Sequence, residues 1–205
     1  MKLFYSPGAC SLSPHIVACE AGIALELDKV DLKTNVTASG LNYSKVNPKG
    51  YVPALQLDDG EIMTEGPVIG QYLADQKPEA GLAPAAGTLA RYRLQEMLGF
   101  INTEIHKAFG PLFNPASQPE ARNAAIGNLN KRYALIEQAL ASHAFLLGDR
   151  FTVADAYLYT VTRWTDPLKV DLSQFPQLRA FQQVVSARPA VQFALREEGL
   201  IQKRD

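Results

Sequence analysis

The sequence is poor in several features that would narrow its class. Cysteine is nearly absent, with two among 205 residues, alongside one tryptophan, three methionines and three histidines. Two cysteines cannot staple a scaffold, so Cys10 and Cys19 read as reduced thiols of a cytoplasmic protein. No apolar run reaches the ~18 residues a membrane span needs, and the opening "MKLFYSPGAC" breaks at Pro7 and Gly8 before an export-signal core develops. Neither sign of charge dominates: 20 Lys and Arg face 21 Asp and Glu, for a net charge of -1. That balance offers no broad attraction to nucleic acid or to a membrane surface. A phosphate-cradling GxxxxGK[ST] loop, a GxSxG elbow and a GxGxxG after a strand are all missing, which removes P-loop, hydrolase and dinucleotide readings. A small molecule or another protein is the expected partner.

The length suits two unequal domains, and the 47% of apolar residues suffices for real cores. The first third changes character about every ten residues. "KLFY" reads as a strand, Ser11 to Ala21 as a helix closed by Gly22, and "ELDKVD" as a second strand, parallel to the first through a right-handed crossover. After an irregular or weakly helical stretch containing "NPKG", "PALQLDDGEIMT" reads as a hairpin around Asp59-Gly60, and "EGPVIGQYLAD" starts a helix. The resulting βαβαββα order is that of a thioredoxin-like α/β domain, assigned to residues 1–80. A linker at 81–88 lies in an aperiodic Pro, Gly and Ala segment. Residues 89–205 have helical period and form an all-α bundle. Leu94, Met97, Leu98, Ile101, Ile105, Phe109 and Leu112 predict one amphipathic helix over 89–113. A second helix is expected over Pro119 to Ala141. A third opens at Thr152, with Asp155 completing a variant capping box.

Cys10 sits at a helix start, where the macrodipole and unpaired N–H groups favour a thiolate. A small buried structural cysteine fits the local pattern equally well. Cys19, nine residues on, stands about 13 Å away along the helix axis and on the opposite face, too far for a disulfide. Thiol chemistry at Cys10 therefore needs an external thiol, and Cys19 reads as core. His15 and Cys19 share a helix face at i and i+4, but with no third or fourth ligand in the pattern no metal site is expected. Pro53 before a strand fits an ordinary turn; it also fits a cis Val52-Pro53 bond that offers the Val52 backbone to an extended peptide. Thr64 is the expected N-cap of the next helix, with Glu65 and Gly66 in its first turn. That start could hold a carboxylate on free N–H groups and an ammonium on Glu65. Gly99, Asn102, Thr103 and His106 form a polar strip on the long helix, either a solvated face or part of a site in which neutral His106 accepts a proton.

Five segments, "FYSPGACSLSPH", "VNPKGYVPALQLDDG", "TEGPVIGQYLAD", "TEIHKAFGPLF" and "LGDRFTVADAYLYTVTRW", in this order, resemble bacterial cytosolic glutathione S-transferases of the beta class over nearly the whole chain. The resemblance implies a thioredoxin-like glutathione-binding domain, a helical domain with an electrophile pocket, and a homodimer. It implies that Cys10 contacts the glutathione sulfur and can form a mixed disulfide with it, and that His106 faces the same sulfur. Val52 and Pro53 would meet the tripeptide backbone, and Glu65 and Gly66 its γ-glutamyl end. Thr103, Glu104 and Lys107 match the segment lining the site, Tyr5 a tyrosine position near it, and Ser11 lies beside Cys10. Gly99 stands where the family often has Asn, and Asn35 where it often has Lys, with Lys33 nearby. Glutathione would be a co-substrate, with no cofactor and no metal.

Three functions follow from these readings. The first is conjugation of reduced glutathione to hydrophobic electrophiles, as in detoxification, with proximity and thiolate formation supplying the rate. The second is glutathione-dependent thiol transfer or peroxide reduction through a Cys10 mixed disulfide. The third is a non-catalytic, ligand-binding member of the fold. Phe109, Phe113 and Trp164 are generic apolar residues for a pocket and name no electrophile.

Overall fold

A computed structural model describes residues 1–202. Packing divides the chain into two compact units, one of Met1–Ala83 with the segment from Ala187 on, the other of Pro84–Ser186. In the first, β1 (Lys2–Tyr5) lies at the centre of a five-stranded sheet of order β3-β2-β1-β4-β5. β2 (Glu26–Asp31) runs parallel to β1, while β4 (Ala54–Gln56) and β5 (Ile62–Thr64) form the antiparallel hairpin on its other side. Gly60 takes the left-handed turn conformation, with φ 91°, that the Asp-Gly pair predicts.

The crossover between the parallel strands is α1 (Leu12–Glu20). Leu12, Ile16, Val17 and Ala18 are all buried because α1 packs on two further helices, α2 (Gly66–Asp75) and α8 (Pro189–Glu197). The link from β2 to β4 differs from the expected second helix of a βαβαββα order. It holds a two-residue strand, β3 (Val36–Thr37), and a single 3-10 turn at Tyr43–Lys45. The "NPKG" stretch is too short and too rich in turn formers to nucleate more.

The second unit is all helical. α3 (Leu89–Phe100) starts at Thr88, whose hydroxyl accepts the Arg91 N–H. The single helix predicted over 89–113 is continuous in direction but not in type. After α3 come a π-helical segment, Ile101–His106, a 3-10 turn, Lys107–Phe109, and α4 (Gly110–Phe113). The wider π turn keeps Ile101, Ile105 and Phe109 in the core while rotating Asn102 and His106 to a shared, half-buried side. α5 (Pro119–Leu140) buries Ala125, Leu129, Tyr133, Ile136 and Leu140.

α6 (Val153–Thr162) is buried along its whole length. Its start is fixed by the Asp155 carboxylate, which accepts the Thr152 N–H at 2.8 Å, the Thr152 hydroxyl at 2.7 Å and the Leu146 N–H at 2.9 Å. Burial pushes this carboxyl up to about 6 in spite of those donors. α7 (Pro176–Ser186) closes the unit. The expectation that the helical domain extends to residue 205 differs from this packing in one respect: α8 joins the first unit. Residues 203–205 of that expectation lie outside the described residues.

Candidate active site

Cys10 ends the loop from β1 to α1. Ser11 beside it is fully buried and clips that loop, its hydroxyl accepting the Ser6 N–H at 3.1 Å and donating to the Ser6 carbonyl at 3.2 Å. The Cys10 thiol donates to the Val52 carbonyl at 3.2 Å. Val52-Pro53 is a cis peptide bond. Of the two readings of Pro53 the cis one is observed, with the Val52 carbonyl accepting from Cys10. The preceding loop is held from inside, since Tyr43 Oη and Asn47 Nδ2 each donate to the Tyr51 carbonyl at 2.7 Å.

Gly66 lies against Pro53, whose Cγ is 3.6 Å from the point where a Gly66 side chain would begin. Helix α2 starts one residue later than expected. Glu65, not Thr64, is its N-cap, and Thr64 is the last residue of β5. Glu65 has φ 73° and ψ 109°, a conformation costing a non-glycine residue about 1–3 kcal/mol. Its carboxylate pairs with Lys49 Nζ at 2.9 Å, and Lys49 also donates to the Thr64 hydroxyl at 3.0 Å. Cys10, Val52, Pro53, Glu65 and Gly66 thus form one contiguous polar cradle in the first unit.

The other first-unit positions have different duties. Asn35 adopts a left-handed turn, φ 55°, with its N–H on the Asp31 carbonyl and its own carbonyl accepting from the Tyr43 N–H. Asn tolerates that backbone better than Lys does, a local reason for Asn at this position. Tyr5 is 8% exposed, its ring 6.4 Å from that of His15, and its hydroxyl is pushed up by burial and by the charges of Glu198 and Glu197.

In the second unit, Tyr157 of α6 donates its hydroxyl proton to Asn102 Oδ1 at 2.8 Å and lies 2.6 Å from His106 Nδ1. With that proton committed to Asn102, His106 must be the donor to Tyr157, so the neutral ring carries its proton on Nδ1 and Nε2 is the basic nitrogen. Burial, and then the charge of Lys107, push His106 down to about 4. Its ring packs on Trp164, 4.9 Å between centroids, and Trp164 meets Phe113 at 5.1 Å and Phe109 at 5.4 Å. Thr103 donates to the Gly99 carbonyl at 3.1 Å, Glu104 pairs with Arg132 at 2.6 Å, and open space surrounds Gly99 where a side chain would start.

Residues 8–76 match the glutathione S-transferase N-terminal domain, and residues 100–189 the glutathione S-transferase C-terminal domain. The chain belongs to the glutathione S-transferase family. The transferase is 46% identical to glutathione S-transferase GstA of Escherichia coli O157:H7, over 98% of this chain and 100% of that one. Among solved structures it is similar to a sphingomonad glutathione S-transferase complexed with glutathione, at 48% identity, TM-score 0.94 and coverage of 98% and 100%. A bacterial beta class glutathione S-transferase of Sphingomonas chungbukensis gives 47%, 0.94 and the same coverage. The fold is the family's, a mixed thioredoxin-like sheet domain and a helical domain, and the chain is a transferase. No helix among the described residues is long and apolar enough to cross a membrane.

Two site neighbours escaped the sequence reading. Tyr157 carries no local mark in the helix that opens at Thr152, yet its hydroxyl sets the His106 tautomer. Lys49 stands in the quoted "NPKG" turn, 16 residues from the Glu65 it pairs with, and no local pattern signals that contact. His15, apart from the cradle, is 2% exposed and held by two carboxylates, Glu198 Oε1 at Nδ1 and Glu197 Oε2 at Nε2, both at 3.0 Å. Burial opposes its charge, but the hydrogen bonds and charges of Cys19 and Glu198 outweigh it and raise the ring to about 10. α8 brings a third donor to the i, i+4 pair: donor atoms of His15, Cys19 and Glu197 lie within 4.8 Å of one another.

Proposed function

We propose that this transferase binds reduced glutathione along the cradle of Cys10, Val52, Pro53, Glu65 and Gly66, and joins its sulfur to a hydrophobic electrophile. The observation that carries the reading is the thiol of Cys10 on the Val52 carbonyl beside the Glu65–Gly66 helix start. The Val52 backbone suits an extended tripeptide. Glu65, fixed by Lys49, suits the γ-glutamyl ammonium, and the N–H groups at the start of α2 suit its carboxylate. The sphingomonad relative is a complex with glutathione, which supports the same ligand here.

In this reading His106, neutral with a basic Nε2, accepts the glutathione thiol proton, and the thiolate attacks the electrophile as its leaving group departs. Thr103, Glu104 and Lys107 enter the reading through the family resemblance alone. The aromatic group of Phe109, Phe113 and Trp164 suits an apolar, flat electrophile. A homodimer belongs to the proposal, supported by large apolar side chains left exposed, among them Leu89 at 72% and Tyr92 at 60%.

Thiol transfer is the second reading, favoured by a specific observation: neither Cys10 nor Cys19 is in a disulfide, and Cys19 is engaged with His15. Cys10 would then act alone: its thiolate attacks a mixed disulfide of a small thiol with glutathione, releasing the small thiol and forming a Cys10–glutathione disulfide, and a second glutathione thiolate attacks that bond, leaving as glutathione disulfide and restoring the Cys10 thiol. The test compares the parent and Cys10→Ala for glutathione binding, conjugation of an aromatic halide and reduction of a small mixed disulfide. Conjugation retained within a few-fold, with disulfide reduction abolished, assigns Cys10 to thiol transfer. A parent that fails to bind glutathione overturns both readings.

A further inference from the structure

Away from the proposed glutathione cradle, α1 and α8 bring together nitrogen, sulfur and oxygen donors on three side chains. We propose that His15, Cys19 and Glu197 form a binding site for a divalent transition-metal ion of the zinc class. Their donor atoms already converge within 4.8 Å. Ligands on zinc, with bonds of about 2.0–2.3 Å, stand roughly 3.3–3.6 Å apart. The remaining approach is within reach of side-chain rotation, because Cys19 is half-buried and Glu197 is 40% exposed. Three protein ligands leave one tetrahedral position for water.

The surroundings supply what such a site needs beyond its ligands. A metal-bound imidazole usually gives its other N–H to a carboxylate, which fixes the ring and raises its basicity. His15 has that arrangement, with Nδ1 on Glu198 Oε1 at 3.0 Å and Nε2 turned toward Glu197. Glu198 is fully buried and is itself anchored by the Gly8 N–H at 2.9 Å. At the opposite end of the helix pair, Arg188 forms a bidentate link to Glu20 at 2.6 and 2.8 Å, so the two helices are held in register across the site.

Charge and softness select the ion. One thiolate and one carboxylate neutralise a divalent cation, and a thiolate–imidazole pair favours zinc-like ions over calcium or magnesium. The balance is that of ligand exchange: the ion gains three bonds and sheds waters, the Cys19 thiol loses its proton, and the proton between His15 Nε2 and Glu197 leaves to solvent. Nothing is oxidised or reduced.

Cobalt(II) chloride added to the untagged, reduced full chain at pH 8 tests the site. The expected result is a thiolate-to-cobalt charge-transfer band and intense tetrahedral visible bands, saturating at one cobalt per chain and erased by zinc. Cys19→Ser loses the charge-transfer band, Glu197→Gln weakens cobalt binding by tenfold or more, and Cys10→Ser keeps both the band and the affinity. Circular dichroism checks the fold of each variant; Glu197 is a half-exposed side chain whose change to Gln leaves the core intact, so this arm stands even if Cys19→Ser misfolds. A parent without the band, a band that survives Cys19→Ser or disappears in Cys10→Ser, or unchanged affinity in Glu197→Gln overturns the proposal.

Discussion

His106 owes its state to two neighbours of different kinds, a buried surrounding that removes its charge and a Tyr157–Asn102 pair that chooses which nitrogen keeps the proton. In the unfolded chain this ring titrates near 6.5, and in the folded one near 4. The unfolded state therefore takes up the proton first on acidification. The stability this group contributes is complete above about pH 6.5 and is lost as pH falls from there toward 4. Denaturation midpoints measured from pH 7 to 4 should fall less steeply in His106→Gln than in the parent. Tyr157→Phe deletes one hydroxyl and should cut conjugation by about fivefold, near 1 kcal/mol of hydrogen bond, with a changed pattern of imidazole nitrogen shifts. Glu65→Gln keeps the left-handed backbone and drops the charge. It should weaken glutathione binding by about tenfold while leaving stability within ~0.5 kcal/mol, because the Lys49 pair it breaks is exposed. The polar strip on the long helix was legible from spacing alone, but Tyr157, 51 residues from His106, was not, since a tyrosine on an apolar face carries no local mark of its hydroxyl's partner.

Secondary structure followed the sequence where periodicity and caps agreed and departed from it where one side chain decided the geometry. "KLFY", "ELDKVD" and the Asp59-Gly60 hairpin became β1, β2 and the β4–β5 turn as read. The helix boundary at Thr64 moved to Glu65 because Glu65 takes a positive φ, which nothing in its side chain demands. Along 89–113 the apolar spacing is compatible with both α and π turns for one extra residue, so the π segment was invisible until packing chose it. At the start of α6, by contrast, Thr152 and Asp155 declared themselves, and the carboxylate also reaches back to the Leu146 N–H. Asp155→Ala leaves those buried donors without their acceptor. Calorimetry should register a loss of about 2–4 kcal/mol.

The two-unit division of the chain was legible as a change from alternating to helical pattern, but the membership of α8 was not. Its helical period says only that it packs somewhere, and the contacts that place it on α1 are side-chain pairs more than 160 residues apart: Arg188 with Glu20, Glu198 with His15. Val191, Ala194 and Leu195 are buried in consequence. Removing residues 189–202 should uncover that face of α1, and hydrogen exchange of the α1 amides should accelerate far more than that of α5, which packs elsewhere. The bond from the Gly8 N–H to Glu198 has a further consequence, for biosynthesis. While the chain is still being made, the loop carrying Cys10 lacks one of its anchors until residue 198 has left the ribosome. The loop of Cys10 is made long before Glu198 and waits for it to take its final surroundings.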